Sequence, residues 1–125
     1  MAKILAVDDS NLSRRLLRRI LEPAGHEVIE AEGGMAGLER YFLEKPDLVF
    51  LDLTMPGTHG LDVLRQLREM DPAARVIIAT ADIQKSSRAM AEEAGAIGFV
   101  NKPFVEDSVL MAVNTTLVGG NDETK

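Results

Sequence analysis

The chain has no cysteine, which excludes disulfides and thiolate metal sites. It has no apolar run near the ~20 residues that cross a bilayer. It also lacks a surplus of positive charge: 14 lysines and arginines stand against 20 carboxylates, a formal net charge of −6. That balance argues against nonspecific binding to a phosphate backbone and fits a cation site better. No Gly-rich phosphate loop follows the first apolar run, and no repeat, linker or low-complexity segment interrupts the chain. The N-terminal stretch MAKILAVDD carries one lysine and turns acidic by Asp8, so it does not resemble a signal peptide. The expectation is a cytoplasmic protein without a membrane or nucleic-acid partner.

What is present is ordinary globular composition. At 125 residues, with 46% apolar and 27% charged residues, the chain suits one domain around one sizeable core. We expect that domain over residues 1–119 and a polar tail over 120–125. Along it, strand-length apolar runs alternate with helix-period segments. KILAVD is followed by a helix from Asn11 to Glu22, with Leu12, Leu16, Leu17, Ile20 and Leu21 on one face and Pro23 and Gly25 to end it. HEVIEA precedes a helix from Met35 to Leu43 with Leu38 and Phe42 in phase, and DLVFLDL precedes one from Gly60 to Met70 carrying Leu61, Leu64 and Leu67. RVIIAT precedes a weaker helix over Gln84 to Ala94. AIGFVN precedes a last one over Glu106 to Leu117, with Val109, Val113 and Leu117. Strands without in/out alternation are buried on both faces, hence parallel and covered by helices. The fold class predicted is a doubly wound, five-stranded α/β sheet.

In such sheets ligands bind at the carboxyl ends of the strands, where strand order reverses. Those ends carry Asp8 and Asp9, Glu30, Asp52, Thr80, and Asn101–Lys102. The stretch ILAVDDS sets two carboxylates side by side at the end of a buried strand, an arrangement that costs repulsion and lost hydration. If the first and third strands are neighbours, Asp8, Asp9 and Asp52 converge, and a cation offsets the cost. Oxygen-only ligands select a hard ion, and Mg²⁺ is the natural candidate. Carboxylate-held Mg²⁺ usually serves a phosphoryl group, and a carboxylate can itself accept one. Lys102 and Thr80 are of the right type to meet the charge that such a transfer spreads over phosphoryl oxygens.

The ordered set AVDDS, VFLDLTMPGTHGLDVL, VIIATAD and GFVNKPF resembles the receiver domain of two-component response regulators, from about Lys3 to Leu117. The resemblance implies strand order 2-1-3-4-5 and Asp52 as phosphoacceptor. It implies Asp9 and, largely through water, Asp8 as Mg²⁺ ligands beside the backbone carbonyl of Thr54. It also implies Lys102 pairing with phosphoryl oxygens, a cis Lys102–Pro103 bond, and Thr80 and Phe99 as moving parts. Phe99 has no hydroxyl, so it would report by packing alone. Ala81 would leave the site open, while Thr54 and Asp82 would tune phosphoryl lifetime. The implied partners are a histidine kinase or histidine phosphotransfer protein and a downstream protein. The implied output face is the fourth helix, fifth strand and fifth helix. The protein would be a switch that catalyses its own modification, not a turnover enzyme.

Plainer readings stand beside these. Asp9 or Ser10 also suits a cap on the first helix, Thr80 an ordinary strand position, Phe99 a core aromatic, and Pro56-Gly57 a turn. His26 and His59 read as surface loop residues. Arg14, Arg15, Arg18 and Arg19 form a basic face on the first helix, either solvated or, through Arg14 and Arg18, docking an acidic phosphodonor. A flavodoxin-like small-molecule binder, a phosphohydrolase and a phosphorylation-independent scaffold are the competing functions.

Overall fold

The computed structural model describes residues 1–55, 59–81 and 85–122. Its order is β1 (Lys3–Val7), α1 (Asn11–Leu21), β2 (Glu27–Ala31), α2 (Gly34–Glu44), β3 (Leu48–Leu51), α3 (Gly60–Met70), β4 (Val76–Thr80), α4 (Lys85–Glu93), β5 (Gly98–Asn101) and α5 (Glu106–Asp122). The five strands form one parallel sheet in the order β2-β1-β3-β4-β5. The Pro56-Gly57 turn, Asp82, Gln84 and residues 123–125 lie outside the described residues. Among the described residues no helix is long and apolar enough to cross a membrane.

Both faces of the sheet are covered, as continuous apolar strands require. Leu5, Val7, Val49, Leu51, Val76 and Ile78 pack with Tyr41 of α2, Val63, Leu64 and Leu67 of α3 and Ala91 of α4. The alternate residues Ile4, Ala6, Leu48, Phe50, Ile77 and Ala79 pack with Leu17 and Leu21 of α1 and Val109 and Val113 of α5. Each fully buried Leu, Ile, Val or Phe contributes roughly 1.5–3 kcal/mol by leaving water. Strand order reverses after β2, so β3 lies on the other side of β1, parallel to it, and their register sets Val7 opposite Leu51. The next residues, Asp8 and Asp52, therefore leave the sheet side by side.

Two glycines allow helices to approach this edge closely. A Cβ on Gly60 would stand 2.5 Å from the Cα of Leu53, the residue after Asp52, and one on Gly37 would stand 2.9 Å from the side chain of Val7. The closeness at Gly37 corrects the expected face of α2. Its buried residues are Gly34, Gly37 and Tyr41, Tyr41 donates to Asp71 Oδ2 at 2.7 Å, and Phe42 is turned out to solvent. On α1 the buried residues are Arg14, Leu17 and Leu21, while Leu12 is exposed. Helix α5 continues five residues past the expected end at Leu117, through Asp122. Glycine weakens a helix by about 1 kcal/mol relative to alanine without ending one already formed upstream.

Candidate functional site

Ser10 is the cap of α1, accepting from the Ser13 N–H at 3.2 Å, and this leaves both preceding aspartates for other work. Asp8 is buried, and its Oδ1 accepts from the Ser10 N–H at 2.9 Å. Asp9 is exposed. Asp52, at the end of β3, is 2% exposed; its Oδ1 accepts from the Thr54 N–H and hydroxyl, each at 3.0 Å. Carboxylate oxygens of Asp8, Asp9 and Asp52 all lie within 4.8 Å of one another. The expected convergence therefore exists, as a cluster able to hold a metal ion.

From the other side Lys102 reaches in. Its Nζ stands 2.6 Å from Asp8 Oδ2 and 3.1 Å from Asp52 Oδ2, and its backbone N–H donates to the Thr80 carbonyl at 3.1 Å. The Lys102–Pro103 peptide bond is cis. Thr80 is buried, with its hydroxyl 3.4 Å from that of Thr54. Phe99 lies half-buried on β5 under the guanidinium of Arg88, 4.5 Å from the ring centre.

The electrostatics leave room for more positive charge. Among the described residues, three carboxylates against one ammonium give two excess negative charges, and pairs at this separation repel by roughly 3–4 kcal/mol at a protein-like dielectric. Burial is the main force raising the Asp8 carboxyl above its ordinary pKa, against the hydrogen bonds from Lys102 and Ser10 that favour its charge. Burial also works against the charge on Lys102, but the hydrogen bonds and charges of Asp8 and Asp52 outweigh it and raise its pKa. The ammonium is thereby held charged at the point where the carboxylates meet.

One strand-end residue named from the sequence does not join the site. Glu30, near the end of β2, turns to α1 and accepts from Arg14 at 2.8 Å and Arg18 at 3.0 Å. The basic face of α1 divides accordingly. Arg14 is 4% exposed, which corrects its place on a docking surface, and Arg18 is tied to both Glu22 and Glu30. Only Arg15 and Arg19 of the four are exposed. Met55, next to the site, packs into the core.

Arg14 is the residue near the site that the motif pattern did not mark. Its guanidinium donates to the carbonyl of Asp8 and the side chain of Asn11. The available signal was its phase, since it shares a face with Leu17 and Leu21 at helical spacing.

The sequence model of a family described as the response regulator receiver domain matches residues 4–114. The chain is 42% identical over 116 residues to the chemotaxis protein CheY of Bacillus subtilis, covering 92% of this chain and 97% of that one. It is 38% identical over 121 residues to the protein PilH of Pseudomonas aeruginosa, covering 95% and 100%. The CheY-like receiver domain protein of Methanospirillum hungatei has a solved structure that superposes with a TM-score of 0.92 at 25% identity, over 98% of each chain.

Proposed function

Because the chain belongs to the response regulator receiver family, we propose that it is a switch in which Asp52 accepts a phosphoryl group from the phosphohistidine of a histidine kinase or phosphotransfer protein. Mg²⁺ is the cofactor of this reading. Asp8, Asp9 and Asp52 offer oxygen alone, which suits a hard cation, and the carbonyl of Thr54 completes the set. When bound, the ion neutralises charge between the carboxylate and the incoming phosphoryl oxygens.

The side chains do the remaining work. One oxygen of Asp52 attacks phosphorus, the P–N bond to the donor breaks, and its electron pair leaves on the imidazole. Thr54 holds Asp52 Oδ1 through two hydrogen bonds, so the attacking carboxylate is fixed before the donor arrives. Lys102 then shifts from the carboxylates to the phosphoryl oxygens. The Thr80 hydroxyl exchanges Thr54 for the phosphoryl group, and Phe99 follows by packing.

Output leaves by the face of α4, β5 and α5 to a downstream protein. Support for this is a cleft of about 320 Å³ bordered by Ile97, Phe99, Val100 and Met111, of which Ile97 and Met111 are exposed. A full reversal of such a switch needs about 5.5 kcal/mol. Several charge-assisted hydrogen bonds at about 1.5–3 kcal/mol each supply that order of energy.

The observation that carries this reading is the ammonium of Lys102 bridging Asp8 and Asp52 inside a three-carboxylate cluster. Intact-mass measurement after incubation with acetyl phosphate tests it. One phosphoryl group is gained with Mg²⁺, and none is gained with EDTA or in Asp52→Asn. A folded wild type that gains nothing in Mg²⁺ would refute the reading.

A further inference from the structure

Four polar or charged residues are buried among the described residues: Asp8, Asp52, Thr80 and Arg14. Three of them form the site, and the fourth has no part in the chemistry just described. Resting on the Mg²⁺ reading above, we propose that Arg14 is a positioning residue of the cation site: its guanidinium fixes the peptide between Asp8 and Asp9 and thereby aims the Asp9 carboxylate.

Among the described residues the Asp9 side chain makes no hydrogen bond, so its direction depends on the backbone that carries it. That backbone is held at successive points. The Asp8 N–H donates to the Ala31 carbonyl at 3.1 Å, the Ser10 N–H is tied to the Asp8 side chain, and the Asp8 carbonyl accepts from Arg14. With its carbonyl fixed, the Asp8–Asp9 peptide plane cannot rotate without breaking the bond to Arg14.

One planar guanidinium meets three segments at once: the Asp8 carbonyl, the Asn11 side chain on α1, and Glu30 on β2. A lysine ammonium has no fork to match that arrangement. A cation so close to a cation site would ordinarily weaken it. Here Glu30 at 2.8 Å and Glu32 at 3.9 Å face the guanidinium, so Arg14 supplies geometry with its charge balanced. Stability alone is a weak reason to bury such a group, because a packed apolar side chain often serves as well as a buried ion pair.

Calorimetric titration of the full chain with MgCl₂ tests the assignment, using wild type, Arg14→Met, Arg14→Lys and Arg18→Met. Arg18 shares Glu30 with Arg14 but does not touch Asp8, so it reports general loosening of α1. The expected result is a loss of about tenfold in Mg²⁺ affinity for both Arg14 variants, the scale of residues that orient metal ligands. Arg18→Met is expected to stay within about twofold of wild type. Unchanged affinity in a folded Arg14→Met, or equal losses in Arg14→Met and Arg18→Met, would overturn the role. Should Arg14→Met fail to fold, nuclear magnetic resonance on wild type decides. The Arg14 Nε–H and Asp9 amide resonances are expected to shift together with added Mg²⁺, and an Arg14 signal that stays fixed while Asp9 moves overturns the proposal. A wild type that binds no Mg²⁺ overturns the parent reading and this one with it. Wild-type binding with unaffected Arg14 variants overturns this one alone.

Discussion

The ends of β1 and β5 bring opposite charges to the same point, but they are built differently. Residues Ile4 to Val7 of β1 are at most 1% exposed, and the loop that follows is fixed by a helix cap, a buried arginine and a strand-to-strand bond. Strand β5 is an edge strand with Val100 alone fully buried. Its Phe99 sits under an exposed arginine, and Lys102 is held mainly by the carboxylates it would exchange for another anion. In the function proposed above, the acidic half is preformed and the basic half is the part that moves. A switch requires that division, because an equilibrium shifts only where two arrangements differ in contacts.

The largest test of the contrast is at Lys102. Lys102→Met removes the one cation that, among the described residues, opposes the three carboxylates, so Mg²⁺ affinity, read by calorimetry, rises severalfold. Phosphorylation by acetyl phosphate slows by about 10²-fold in the same variant, the usual cost of losing a donor to developing charge. Parallel losses in both quantities would instead make Lys102 part of the preformed half. Packing gives a second test. Leu5→Ala in β1 is expected to cost about 2–5 kcal/mol in urea unfolding, whereas Met111→Ala, at an exposed position of α5, stays within about 0.5 kcal/mol. Similar costs would erase the difference between the two sides.

The smallest effect is in the pH dependence of β2 and α1. Burial pushes the Glu30 carboxyl up, but hydrogen bonds from Arg14 and Arg18 outweigh it and leave its pKa below the ordinary 4.5. A depressed acid stabilises the fold above its unfolded pKa, and that contribution is lost as pH falls through the folded value. Unfolding free energies measured between pH 7 and pH 3 should therefore drop less in Glu30→Gln than in wild type, by on the order of 1 kcal/mol. Identical pH profiles would mean that the Arg14–Glu30 pair contributes nothing to stability.

Much of this was legible before any coordinates. Strands were readable because DLVFLD and RVIIAT are continuous apolar runs, and the acidic cluster because each of its members ends such a run. The helix faces were less so. In α1, Leu12, Leu16, Leu17, Ile20 and Leu21 span a broad arc, and hydropathy alone could not show that the buried stripe passes through Arg14 and leaves Leu12 outside. In α2 the contact with β1 is made by Gly37, a residue whose value lies in the side chain it lacks. The end of α5 was obscured by Gly119-Gly120, which locally argue for a stop. In each case tertiary packing decided among faces or ends that local preference left nearly equal.

The account turns on Asp52, and not its acidic neighbours, accepting the phosphoryl group. Borohydride reduction after reaction with acetyl phosphate converts an acyl phosphate to an alcohol, so peptide mass spectrometry reads the acceptor directly as homoserine. With Mg²⁺ present, homoserine is expected at position 52 alone, and with EDTA at no position. Homoserine at position 8 or 9, or a label indifferent to Mg²⁺, would contradict the roles assigned to all three aspartates.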